Sequence, residues 1–255
     1  FDGERVLERA TVLVRDGRVA AVGPDVAVPD GTTVVDGRGR TLLPGLIDSH
    51  VHAFDGALAE ALNFGVTTAL DMLGDPATLR ELQTARGSLA PVAHADLFGS
   101  GWAATVPGGH GTQFVLPIPT LARPEEADAW VGARLAEGSD WIKIVYEPKE
   151  PGGLGPPFPS IDRGTLAALV GAAHSRERLA VAHVSRLGPA RDALAAGGDG
   201  LVHVHADRPA DAALLALVRE RRVDLGEEGQ AELFGRRRAG EVEQVVALID
   251  HVRPE

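Results

Sequence analysis

The sequence has no cysteine, which excludes disulfides, thiolate nucleophiles and cysteine-bound zinc. A metal ion, if one is held, must be held by histidine, carboxylate or a modified side chain. Aromatic residues are scarce, at 4% of 255 residues. Basic charge is in deficit, since 25 Lys and Arg against 36 Asp and Glu leave a net charge of −11. An acidic surface repels nucleic acid and anionic membrane, so neither is expected as a partner. No apolar run approaches the roughly 20 residues that span a bilayer, and no signal pattern opens the chain. A soluble cytoplasmic protein is the expectation. Initiator methionine is lacking too: the chain starts at Phe1, and its one methionine is Met72.

What is present suits one barrel-sized domain, or a domain with a small satellite. Phe1–Gly3 reads as the tail of a strand, and the chain stops just after a helical segment, Glu241–Val252. Both ends are therefore expected to belong to a fragment, or to the ordered part of a longer chain. Residues 5–42 carry short β segments with turn signals. Ala10–Val14 and Arg18–Val22 flank Asp16-Gly17, a hairpin dipeptide, and Thr33–Val35 leads through Asp36-Gly37 to Gly39. They predict a small β-sandwich over residues 1–40.

From Thr41 the pattern becomes apolar strand, loop, amphipathic helix, repeated. Strands are predicted at Thr41–Val51, Gly65–Met72, Pro91–Phe98, Asp140–Val145, Leu179–Val184 and Gly200–His205, with a weaker seventh at Arg222–Leu225. Helices are predicted at Ala57–Asn63, Pro76–Arg86, Glu125–Glu137, Ile161–Arg178, Pro189–Ala196, Ala210–Arg222 and Gln230–Asp250. Near-continuous apolar strands alternating with helices indicate parallel βαβ units covered on both faces. The fold class is α/β: a (β/α)8 TIM-type barrel over residues 41–255, incomplete at strands 7–8, with the small N-terminal β-sandwich. The Pro/Gly-rich stretch Glu147–Pro159 follows a strand, which puts it on the face where barrel enzymes build their sites.

The chemistry collects at the strand ends. His50 and His52 are two apart on a strand, so both leave the same face and can share one metal ion; two histidines on a solvated strand face are the plain alternative. Lys143 stands between Ile142 and Ile144. Burial lowers a lysine pKa, and a neutral amine can take up carbon dioxide as a carbamate, an anionic ligand able to bridge two cations. A lysine that snorkels to the rim is the alternative there. His183 closes the fifth strand; His203 and His205 lie along the sixth. Any one of these alone reads as a core histidine, but their common level at successive strand ends reads as a site.

Pro44-Gly45-Leu46-Ile47-Asp48-Ser49-His50-Val51-His52, followed by Lys143, His183 and His203, resembles the amidohydrolase superfamily of metal-dependent hydrolases. Lys143 resembles its branch with a carbamylated lysine and a binuclear metal centre. Gly65-Val66-Thr67-Thr68 leading to Asp71, and Gly108-Gly109-His110-Gly111, resemble its imidazolonepropionase-like and prolidase-like members. The resemblance implies that His50 and His52 bind a first divalent ion and that His183 and His203 bind a second. Lys143, as its carbamate, would bridge the two. Zinc suits such ligands, with manganese, iron or cobalt open. Two cations sharing an anion bring a bridging water towards hydroxide at neutral pH and polarise a scissile carbonyl. His110, His205 and Tyr146 are candidate contacts to a small-molecule substrate. His94, His174 and His251 are read as structural or uninformative.

One part of that pattern is not found. The family's aspartate at the end of strand 8, a metal ligand and proton shuttle, has no counterpart: Asp224 lies on the weak seventh strand and Asp250 closes a helix. The run Leu225–Gln230 could hide a join between segments. The catalytic acid therefore stays unknown. No phosphate loop or nucleophile elbow is present. The leading expectation is an enzyme, a metal-dependent amidohydrolase cleaving an amide or related C–N or ester bond. The alternatives are a truncated or degenerate non-catalytic metal- or ligand-binding member of the fold, or a one-metal deaminase. Substrate identity and oligomeric state, a homo-oligomer included, stay open.

Overall fold

The computed structural model describes residues 6–86, 92–114, 116–149, 158–203, 205–221 and 224–225. An antiparallel hairpin comes first, β1 (Thr11–Arg15) with β2 (Arg18–Gly23). Its two turn residues, Asp16 and Gly17, have φ of 53° and 73°, the left-handed pair that matches a tight turn to strand twist. Thr33–Val35, expected as a further strand, joins no sheet among the described residues. Val34 and Val35 are 73% and 83% exposed, so no second layer among the described residues covers them. A hairpin, rather than the expected sandwich, is what the described residues form here.

The rest is a βα succession. In order come β3 (Leu46–Val51), α1 (Ala57–Asn63), β4 (Val66–Asp71), α2 (Pro76–Gln83), β5 (Asp96–Gly99) and α3 (Ala127–Ala136). There follow β6 (Ile142–Val145), α4 (Arg163–His174), β7 (Ala180–His183), α5 (Leu187–Ala195), β8 (Gly200–Val202), α6 (Ala212–Arg221) and β9 (Asp224–Leu225). Strands β3, β4 and β5 pair in parallel, as do β6, β7, β8 and β9. The two groups are linked between β5 and β6. The Asp140 N–H donates to Gly99 O at 2.8 Å, Ala104 N–H donates to Lys143 O at 2.8 Å, and Val145 N–H donates to Ala104 O at 2.9 Å. Seven parallel strands thus follow one another in chain order, a helix in each crossover. The weak seventh strand is present as β9. The helix read at Gln230–Asp250 and the run after Leu225 lie outside the described residues.

The first strand begins later than expected, at Leu46 rather than Thr41. Pro44 has no N–H to give a ladder, and Gly45 passes so close to β4 that a Cβ there would sit 2.1 Å from Thr67 Oγ1. Two apolar layers sandwich the strands, which explains their near-continuous hydrophobic composition. Ile142, Ile144, Ala180 and Ala182 face outward onto Leu166, Leu169, Leu187 and Leu194. Leu70, Met72, Phe98, Trp141, Leu179, Val181 and Val202 form a separate inner cluster. Alternation along a strand then gives Lys143 the inward side of Trp141, and His183 that of Val181.

A polar clamp joins the two sheet segments. Arg86, following α2, donates Nε to Leu97 O at 2.7 Å and both terminal nitrogens to Asp140 at 2.9 and 2.8 Å. Its guanidinium lies 3.9 Å from the Phe98 ring centre. Helices α2 and α4 start at aspartates whose carboxylates accept the Thr78 and Thr165 N–H groups. Among the described residues no helix is long and apolar enough to cross a membrane.

Candidate metal centre

Strand alternation sends His50 and His52 to one side of β3, with ring centres 5.5 Å apart. From the far side of the strand run come His183 at the end of β7 and His203 just after β8. His203 is 4.6 Å from His50 and 4.6 Å from His183, centre to centre. The first and sixth strands therefore face each other across an interior, and the four imidazoles meet there.

His203 reaches this position by a route that strand periodicity does not give. Leu201 packs in the outer layer and Val202 in the inner one, so a continued strand would turn residue 203 outward. The strand instead ends at Val202, and His203 adopts φ of 71°. Few non-glycine residues occupy that left-handed region; here it swings the ring inward. It also corrects the expected Gly200–His205 strand and the shared face of His203 and His205. His205 makes no hydrogen bond, ion pair or ring contact with a described residue, and nothing draws it into the cluster.

Lys143 is 3% exposed and forms no ion pair with a described carboxylate. Burial lowers its pKa to about 7, Asp71 pulling the other way. Loss of water lowers all the surrounding histidines, His50 to about 3, with the Lys143 cation the next cause for His50, His110, His183 and His203. At neutral pH these imidazoles are uncharged and keep a lone pair for a cation. Near pH 7 a large share of Lys143 is the free amine.

His110 joins the group. Gly108 and Gly111 take φ of 68° and 101°, and the loop they shape sets the His110 ring 4.9 Å from His183 and 5.6 Å from Phe158. Tyr146 does not join it. Three residues beyond Lys143, it falls on the opposite face of the strand, packs in the outer layer and donates its hydroxyl to Asp192 on α5 at 2.9 Å. The expectation that Tyr146 contacts substrate is corrected by that parity. His94 Nδ1 lies 3.0 Å from Ala95 O, and His174 Nε2 lies 2.7 Å from Asp199 Oδ2.

Two carboxylates were missed as site residues. Asp71 ends β4 at 4% exposure, and burial raises its pKa to about 6 despite the N–H groups of Leu73 and Ala53. Its Oδ1 is 3.9 Å from His52 Nδ1. Gly74 lets the chain fold back over it, since a Cβ at residue 74 would meet Asp71 Oδ2 at 2.0 Å. The His52 Nδ1–H has Leu73 O at 3.2 Å, which leaves Nε2 as the binding nitrogen. The second is Glu147, beyond β6, 3% exposed, with Oε1 3.7 Å from His183 Nε2. The signal for each was present in the sequence as an acidic residue closing an apolar strand.

Among the described residues, no three His, Asp or Glu side chains stand ready to hold an ion as placed. The donor chemistry fits a divalent cation nonetheless. Rings sharing one zinc ion have centres about 5 Å apart, given zinc–nitrogen bonds near 2.0–2.1 Å, and the spacings above bracket that value.

No protein-family profile matches the chain. It is 53% identical over 45 residues to a dihydroorotase of Mycobacterium tuberculosis, covering 18% of this chain and 10% of that one. It is 49% identical over 53 residues to an imidazolonepropionase of Micrococcus luteus, covering 20% and 13%. In fold it is similar to a crystal structure of a Xaa-Pro dipeptidase with bound methionine, with a TM-score of 0.67 and 20% identity over 93% of this chain and 66% of that chain. The chain thus spans about a tenth of the length of these curated relatives. The α/β succession is similar in fold to a crystal structure of an amidohydrolase, with a TM-score of 0.67 and 22% identity over 84% of this chain and 60% of that chain. The stretches matched are thus similar to enzymes named as a dihydroorotase and an imidazolonepropionase.

Proposed function

We propose that this chain carries the metal centre of a hydrolase that cleaves an amide, or a related C–N or ester bond, in a small molecule. One observation carries the reading: His50, His52, His183 and His203 gather from opposite sides of the strand run beside the buried Lys143. The seven parallel strands are read as staves of a (β/α)8 barrel. His50 and His52 would hold one divalent ion, zinc by ligand type, and His183 and His203 a second, with Lys143 as carbamate between them. Bound there, the ions would acidify water and polarise a carbonyl.

The chain's own residues supply the rest. The inner apolar cluster closes the floor and keeps water from Lys143, which holds the amine neutral enough to react with carbon dioxide. Leu73 O and Asp71 orient His52. His110 stands on a glycine-bounded loop beside His183, placed to meet a substrate carbonyl. The residue that protonates the leaving group has no assignment among the described residues.

The test uses purified full-length protein. Metal analysis is expected to give two divalent ions per chain, with hydrolysis of some member of an amide, lactam and ester panel. Lys143→Ala should lose at least one ion and about 1,000-fold in rate, the scale seen when a charge-stabilising group is removed. Unchanged metal content and rate in that variant would sink the proposal.

A further inference from the structure

The ligand set proposed above leaves one buried carboxylate at the same end of the strands unused. Lys143, Val145 and Glu147 share a face of β6 and its extension, so Glu147 emerges towards the histidines rather than towards the helices. Its Oε2 accepts a hydrogen bond from Ser185 Oγ at 2.9 Å, and its backbone N–H donates to Ser160 Oγ at 2.8 Å. The first contact holds the carboxylate and the second holds the backbone that carries it. Its Oε1 is buried and accepts no hydrogen bond from a described residue. Leaving a buried acceptor unpaired costs about 1–3 kcal/mol, and a charged one more.

His183 Nε2 lies 3.7 Å from that oxygen. A side-chain rotation that shortens the gap by roughly 1 Å makes it a hydrogen bond. The ring contacts of His183 with His110 and His203 do not choose between its two nitrogens, whereas a carboxylate does. It can only accept, so the nitrogen facing it must carry the proton. His52 has the same provision on the other side of the site, where the Leu73 carbonyl takes the Nδ1–H.

We propose that Glu147 is a positioning residue for His183: its Oε1 takes the Nε2–H of that imidazole and so commits Nδ1 to binding the cation. Ser185 holds the carboxylate in place for this. The proposal rests on His183 being a metal ligand.

The test is made on full-length protein stripped of metal and labelled with nitrogen-15 at histidine. The His183 ring should show its proton on Nε2. Glu147→Ala should turn this into a mixture of tautomers and weaken zinc binding, measured against a competing chelator, by about 10- to 100-fold. Glu147→Gln, whose carbonyl oxygen can still accept, should restore the tautomer and most of the affinity. Ser185→Ala, a milder change should Glu147→Ala fail to fold, is expected to move both readouts the same way by a smaller amount. A proton on Nδ1 in the parent protein overturns the proposal, as do an unchanged tautomer and zinc affinity in Glu147→Ala. Failure of the parent to bind zinc removes the metal-centre reading, while the tautomer readout still decides what Glu147 does to His183.

Discussion

Lys143 sits between Ile142 and Ile144 with its ammonium out of water, and its folded-state pKa of about 7 lies below the ordinary 10.5. Between those values the unfolded chain binds the extra proton, so stability rises with pH across the window; below pH 7 the full cost is present. Lys143→Met is expected to raise the Tm of metal-stripped protein by several degrees at pH 6.5 in buffer free of carbon dioxide. The gain should shrink as pH approaches 10, which calorimetry at both pH values reads. A gain that did not shrink would mean better packing rather than relief of charge. Sequence alone pointed to this lysine because an ionisable residue inside an apolar strand has few innocent explanations. The spacing of His50 and His52 was equally legible, being plain strand alternation. Tyr146 was misjudged because proximity in sequence was taken for proximity in space, when an odd offset from Lys143 puts it on the other face. Glu147 has the even offset and was passed over inside a Pro/Gly-rich run.

The elements carry their own evidence of how the site is held. Between β5 and β6 the sheet is joined through backbone bonds around Asp140 and Ala104, and Arg86 clamps that junction from outside the ladder. Its guanidinium and the Asp140 carboxylate are 15% and 8% exposed, so removing one partner strands the other away from water. Arg86→Ala is expected to cost about 3–5 kcal/mol in urea unfolding, and Asp140→Ala a similar amount. The double variant should cost much less than their sum, since the two changes break one interaction. Helix and strand types were largely legible because period and capping chemistry agree locally. The ends were less so. Leu46 starts its ladder where Gly45 can pass Thr67, a contact between segments. His203 ends its strand through a left-handed residue with no glycine, asparagine or aspartate to announce it.

For the whole molecule the crowding of imidazoles sets the acid limb of stability. Their folded-state pKa values fall below 6.5, so between pH 6.5 and about 3, the value for His50, the unfolded chain takes up protons that the folded one refuses. Stability must fall on acidification through that window. Asp71, raised to about 6, opposes this, as do Asp96 and Glu147, which burial also raises, because their folded forms prefer the proton. The urea midpoint of metal-stripped protein is expected to drop between pH 7 and pH 5, and to drop less in a His50→Gln, His183→Gln double variant. An equal drop in both would locate the acid sensitivity elsewhere. The βα grammar was readable across the chain because covered strands and amphipathic helices leave opposite patterns. The β-sandwich was read from turn dipeptides that, among the described residues, support a single hairpin, since turn chemistry fixes a local reversal and not what packs against it.

The neighbourhood of His50 and His203 also dictates an order of assembly. Each ladder joins strands that are adjacent in sequence, so each closes over one crossover and is entropically modest. The two rings, by contrast, approach only when the entire succession from β3 to β8 has curled. During synthesis His50 and His52 emerge first and have no partners until β7 and β8 follow them. A cation held by rings from both sides would therefore need the succession from β3 to β8 to have curled first.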